Sequence, residues 1–164
     1  SKKKFLNKIK LISKKSNINL INCRIFQMYG EGDNKDKFIP TIISQLKKNE
    51  PKINFTKGNQ RKDFIYVLDA ARAISMIINH HCSNNLEGFH NYEIGSGKTY
   101  SIKYIARLLK LKTKSKSRLI FGALKSRENE SLKEVAYNKK ILNLGWKQKF
   151  EIQKGLLRTI KFFD

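Results

Sequence analysis

Along this chain, short runs of apolar and β-branched residues alternate with stretches whose apolar positions recur about every 3.6 residues. That alternation constrains the fold more than any other feature, because strands separated by helices pair side by side while the helices cross over their faces. Phe5, Leu6, Ile9 and Ile12 fall at helical spacing and predict a helix over 2–16. Ser16, Asn17 and Asn19 end it, and LINCRIF at 20–26 reads as a buried strand. Two glycines and Asp33 break any period across 29–33, which reads as a loop. FIPTIISQL at 38–46 is a helix with Pro40 tolerated in its first turn. Strands follow at 52–56 and 64–67, separated by a turn at 57–59. DAARAISMIIN at 69–79 is helical, and 90–94 is another strand. Gly95-Ser96-Gly97 then turns into a helix with Ser101 as its N-cap. A strand at 118–121, a short helix at 138–144 ending at Gly145, and an amphipathic helix at 151–162 follow. The order predicts an α/β fold. A complete doubly wound sheet needs more strands, and the strand–glycine-rich turn–helix unit that holds a dinucleotide pyrophosphate has no counterpart in the 164 residues.

The formal charge of +22 poses a choice between a polyanion binder and a heavily solvated surface. The lysines run from Lys2–Lys4 to Lys161, no nucleic-acid motif organises them, and the aromatics mostly sit in apolar runs. That spread predicts no dedicated nucleic-acid role, and weak, salt-sensitive adhesion to polyanions either way. No apolar run reaches the roughly 18–20 residues that span a bilayer, and no signal-peptide pattern follows the first lysines. The expected location is the cytoplasm, with no membrane association. Cys23 and Cys82 read as free thiols.

Three groups of residues invite chemistry. Gly95–Thr99 ends in GKT before a helix, but the phosphate-loop pattern needs a glycine where Tyr92 stands, so a tight strand–helix turn is expected. His80, His81 and Cys82, with His90 beyond, are too close in sequence for a ligand set, and no metal is expected. Arg24, Arg61, Lys62 and Arg127 lie where strands or loops meet apolar segments, as phosphate-gripping cations do. In a chain this basic, chance puts cations in such places too, and spacing does not separate the two readings.

Four segments in order then carry a resemblance. RIFQMYGEG at 24–32 matches the pattern R-x-F-N-x-Y-G-P-G, and KDFIYVLD at 62–69 matches R-D-F-I-Y-V-x-D. NYEIGSG at 91–97 matches Y-N-I-G-S-G, with Tyr92 and Glu93 in place of its usual Asn-containing pair. FGALKSRENE at 121–130 matches F-G-A-L-x-x-R-x-x-E, and LGW at 144–146 and the stretch 151–160 match the family's closing patterns. Across essentially its whole length the chain resembles the C-terminal half of the extended short-chain dehydrogenase/reductase family, the NAD-dependent nucleotide-sugar epimerases and dehydratases.

The resemblance implies the C-terminal part of a Rossmann-like doubly wound sheet plus a small substrate-binding lobe. Residues 1–36 would end the dinucleotide-binding domain, and 37–164 would form mainly the lobe, with returning sheet strands. The family's Tyr-x-x-x-Lys motif, often with Ser before the Lys, aligns Ser1-Lys2 with its end and puts the tyrosine three residues before Ser1. In the family a tyrosinate removes a proton from a sugar hydroxyl, and the lysine cation lowers the tyrosine's pKa and holds the cofactor ribose. Lys2 is then the catalytic and cofactor-contacting lysine, and Phe26 lies near the nicotinamide of NAD, with NADP also possible. Gln27, Tyr29, Arg61, Lys62 and Arg127 contact a nucleoside-diphosphate sugar. Gln27 stands for the usual Asn, and Lys62 for an Arg that grips the diphosphate. Asp63, Tyr66 and Asp69 are structural. The implied parent is a homodimeric enzyme working through a transient 4-keto sugar, with a lean toward bacterial deoxysugars for surface polysaccharide. The 164 residues alone would be inactive. Two alternatives stand: a non-enzymatic remnant that binds polyanions, and a split enzyme whose other half is a separate chain, marked by an exposed apolar strand edge.

Overall fold

The computed structural model describes residues 2–16, 18–126, 128 and 130–163, with Lys2 and Lys3 as backbone only. Helix α1 (Lys2–Ser16) leads into strands β1 (Leu20–Ile25) and β2 (Gln27–Tyr29). Helix α2 (Phe38–Lys47) follows, then β3 (Lys52–Phe55), β4 (Arg61–Lys62) and β5 (Phe64–Tyr66). Helix α3 (Val67–Ser83) precedes β6 (Phe89–Ile94) and β7 (Tyr100–Ser101), and α4 (Ile102–Thr113) precedes β8 (Arg118–Phe121) and β9 (Lys133–Glu134). Two helices, α5 (Lys139–Asn143) and α6 (Ile152–Phe162), end the described chain. This is the predicted α/β alternation.

The main ladders are parallel: β1 with β6, β2 with β5, and β3 with β8. Parallel neighbours need crossover connections, which the intervening helices supply. A smaller sheet joins β4 antiparallel to β7 and parallel to β9. None of these three two-residue strands was predicted, because a period cannot be read from two residues.

The predicted strand over 20–26 changes neighbours partway. Phe26 N–H donates to Ile94 O (3.0 Å), the end of the β6 ladder, and Gln27 N–H then donates to Asp63 O (3.0 Å) beside β5. Residues 27–29 are therefore strand, where a loop from Tyr29 was expected. The helix predicted from residue 69 begins at Val67, directly after β5 with no loop. Ser101 caps α4 as predicted, its Oγ accepting from Tyr104 N–H at 3.1 Å.

Two apolar cores flank β5, whose three residues are all buried. Period-two alternation sends Phe64 and Tyr66 into one core and Ile65 into the other. The first core packs α2, α4 and α6 on β3 through Ile43, Leu46, Phe55, Leu109 and Leu156. The second packs α3 and α5 on β6 through Ile77, Ile94, Ile141 and Trp146. Gly155 lets α6 approach closely: a Cβ there would overlap the Tyr29 hydroxyl.

Candidate active site

Between the start of β2, the C-terminal end of β3 and the small β4 sheet lies a cleft of about 410 Å³. Phe38, Phe55 and Phe64 give it an apolar floor, and Gln27, Gln60 and Lys62 bring polar groups to its wall. Gln27 reaches it because it opens β2, at the exposed start of the face on which Tyr29, two residues on, is buried. Lys62 reaches it because β4 turns it inward, leaving the residue only 8% exposed. Its ammonium does not stand alone. Nζ lies 3.1 Å from Glu134 Oε1 and donates to Ser131 O at 3.1 Å. On the same wall Gln60 Nε2 donates to Glu130 Oε1 (3.4 Å) and to Thr56 Oγ1 (3.3 Å). An apolar floor with a few convergent polar groups suits a ligand with one flat, ring-like part and one charged part.

The other candidates lie elsewhere. Arg61 alternates to the opposite side of β4, where its Nε and Nη2 donate to Thr99 Oγ1 (3.1 Å) and Thr99 O (2.7 Å). Tyr29 is 3% exposed; its ring packs on Phe64 and Tyr66, its hydroxyl points to Ile152 O at 3.4 Å, and it backs a smaller hollow beside Gln27. Phe26 lies at the break between β1 and β2, under the Arg24 guanidinium at 5.0 Å, and Arg24 also pairs with Glu93 at 3.2 Å. Lys2 begins α1, with its side chain outside the described residues, as is the whole of Arg127. The structure therefore brings Gln27 and Lys62 together and places Arg61, Phe26 and the Tyr29 hydroxyl apart from them. Sequence reasoning missed Gln60 and Glu134. Neither sits in a pattern, and only the β4–β9 pairing brings Glu134 opposite Lys62.

Asp63 explains the glycine turn. Its carboxylate is fully buried. Oδ1 accepts from Ser96 N–H (2.8 Å) and Ser96 Oγ (2.6 Å). Oδ2 accepts from Gly97 N–H (2.9 Å) and Ala136 N–H (3.1 Å). Gly95 is required there, since a Cβ would lie 2.7 Å from Asp63 Oδ2. The amides a phosphate loop would offer outward are thus spent on a buried carboxylate, and the turn is structural.

The histidines are likewise engaged. His81 Nε2 lies 3.0 Å from the Tyr92 hydroxyl, and His90 Nε2 lies 2.8 Å from Glu87 O. Burial first, then the neighbouring His90 and His80, hold His81 below the ordinary histidine range. Among the described residues no three His, Cys, Asp or Glu side chains gather as a metal set. Cys23 and Cys82 are free thiols, and burial pushes Cys23 up. No described helix is long and apolar enough to cross a membrane.

A second polar cluster ties the loop after β2 to α6. The Tyr66 hydroxyl hydrogen-bonds the Glu31 carboxylate, and Arg158 Nε lies 3.4 Å from Glu31 Oε1. Burial and the Glu31 contact push Tyr66 up to about 12. Burial opposes ionisation of Glu31, but hydrogen bonds from Tyr66, the backbone and Arg158 outweigh it and hold the carboxyl below its usual range.

The sequence model of the NAD dependent epimerase/dehydratase family matches residues 2–95. The CDP-abequose synthase of Salmonella muenchen is 31% identical over 161 residues, covering 98% of this chain and 54% of that protein. The fold matches the UDP-glucose 4-epimerase of Thermotoga maritima, solved with UDP-glucose, at a TM-score of 0.82 and 18% identity, covering 94% of this chain and 49% of that one. It also matches the UDP-glucuronic acid 4-epimerase of Bacillus cereus, solved with UDP-glucuronic acid and NAD, at 0.81 and 24% identity, covering 93% and 47%. The chain spans about half the length of the curated relatives it matches.

Proposed function

Because the chain belongs to the NAD-dependent epimerase/dehydratase family, we propose that its cleft binds the nucleoside-diphosphate part of a nucleotide sugar. The enzyme it serves is then a nucleotide-sugar epimerase or dehydratase working through a transient 4-keto sugar. One observation carries this reading. Gln27 and Lys62, from two separate strands, converge on a single aromatic-floored cleft of about 410 Å³. The phenylalanine floor suits a flat base or sugar face, and Lys62, the one cation on the wall among the described residues, suits the diphosphate. Residues 1–36 would border the dinucleotide side, and 37–164 would form mainly the sugar-nucleotide lobe with its returning strands.

The family's cofactor is NAD. The 164 residues hold no G-x-G-x-x-G triad, and none of their six tyrosines has Lys four positions on. By themselves they do not fit a dinucleotide. On this reading the chain binds nucleoside diphosphates without turning over nucleotide sugars. Isothermal titration with UDP and CDP should detect binding that Lys62→Ala weakens about tenfold or more and that Gln27→Ala weakens less. Turnover of UDP-glucose by the 164 residues alone, or UDP affinity indifferent to Lys62, would overturn it.

A further inference from the structure

The cation that should attract a diphosphate is already neutralised. Lys62 sits opposite Glu134 in the β4–β9 ladder, and Arg61 N–H donates to Leu132 O at 2.7 Å, which pins the register. The ammonium contacts Glu134 Oε1 and Ser131 O, each at 3.1 Å. Lysine has three N–H donors, so one remains for a ligand. Glu130 adds a second carboxylate to the same wall through Gln60. Among the described residues, then, the Lys62 ammonium is set against two carboxylates, Glu134 in contact with it and Glu130 on the cleft wall. That balance has the wrong sign for a ligand bearing two or more negative charges.

The two partners of the pair are unequally held. The Lys62 side chain is 10% exposed and fixed by the Ser131 carbonyl as well, whereas the Glu134 side chain is 35% exposed on a two-residue strand. A half-solvated carboxylate leaves for water at small cost, and a buried ammonium does not. Where the family pattern has Arg, the pair could keep a carboxylate on one edge of a planar fork and hold phosphate on the other. Lysine is a point charge, so carboxylate and phosphate compete for it.

We propose that Glu134 is a specificity-determining counter-charge: a diphosphate displaces its carboxylate from Lys62, and that exchange sets how tightly anionic ligands bind the cleft. No covalent bond changes. Glu134 swings into solvent while phosphate oxygens take its place on Nζ. The inference rests on the cleft's being the nucleoside-diphosphate site.

Glu134→Gln isolates the charge, since the amide oxygen still accepts from Lys62 and the β4–β9 backbone pairing is untouched. Titrations of the 164-residue chain with UDP, inorganic pyrophosphate and uridine form the test. Glu134→Gln should tighten UDP and pyrophosphate about five- to tenfold and leave uridine, which has no phosphate, unchanged. Glu134→Ala should tighten UDP in the same direction, and Glu134→Asp, which keeps the charge, should match the parent. If UDP binds Glu134→Gln and Glu134→Ala no better than the parent while Lys62→Ala still weakens it, the counter-charge is wrong and the cleft reading survives. If Lys62→Ala leaves UDP affinity unchanged, the cleft reading falls and takes this inference with it.

Discussion

Tyr66 shows how a residue's place can be read from sequence while its partner stays hidden. Its place at the end of a strand marked it as structural, and it is fully buried. The sequence did not show its partner. Glu31 stands where the related pattern has Pro, and its carboxylate takes the Tyr66 hydroxyl and faces Arg158. This contact has two pH limits. Glu31 is held below its unfolded value of 4.5, so its contribution is present above that value and is lost as pH falls through the lower folded one. Tyr66 is raised from 10.0 to about 12, so its contribution is full below 10.0 and is lost as pH rises toward 12. Tyr66→Phe should flatten both limbs of a stability-against-pH curve measured by urea unfolding. A variant curve parallel to the parent's at both ends would show that the contact is not the source. Asp63 was also read as structural, but its four donors come from residues distant in sequence, and no local pattern announces them.

At the level of elements, legibility followed length and locality. Helices α2, α4 and α6 were predicted within a residue or two, because each carries its own apolar stripe, and for α4 its own cap. The strands β4, β7 and β9 were invisible because only their partners make them strands. The cleft suffered accordingly. Gln27 and Lys62 could be named from their segments, but the side of β4 on which each cation falls could not. Arg61 therefore looked equivalent to Lys62 until the ladder turned it toward Thr99. The approach of α6 to β2 was equally hidden, and it depends on Gly155. Gly155→Ala should destabilise by about 1–3 kcal/mol through overpacking against a rigid ring. Tyr29→Phe removes the overlapping hydroxyl and gives up only a long 3.4 Å hydrogen bond, so adding it should recover much of that loss. Denaturant midpoints of the two single variants and the double variant measure the coupling, and strict additivity would refute the packing account.

At the scale of the molecule, charge and core make separate demands. The +22 charge is not confined to the cleft: Lys103, Arg107 and Lys110 fall on one stripe of α4, two of them over the Phe121 ring. Binding to single- and double-stranded nucleic acid should therefore be weak, indifferent to sequence and lost steeply between low and physiological salt. Sequence selectivity that persists at high salt in filter-binding or fluorescence titrations would contradict that expectation. The cores are joined more tightly than their two-sided layout implies. Strand β5 serves as a party wall, with Phe64 and Tyr66 facing one room and Ile65 the other. Neither side can be opened without exposing the wall they share, so the chain has two interiors but one clock for coming apart.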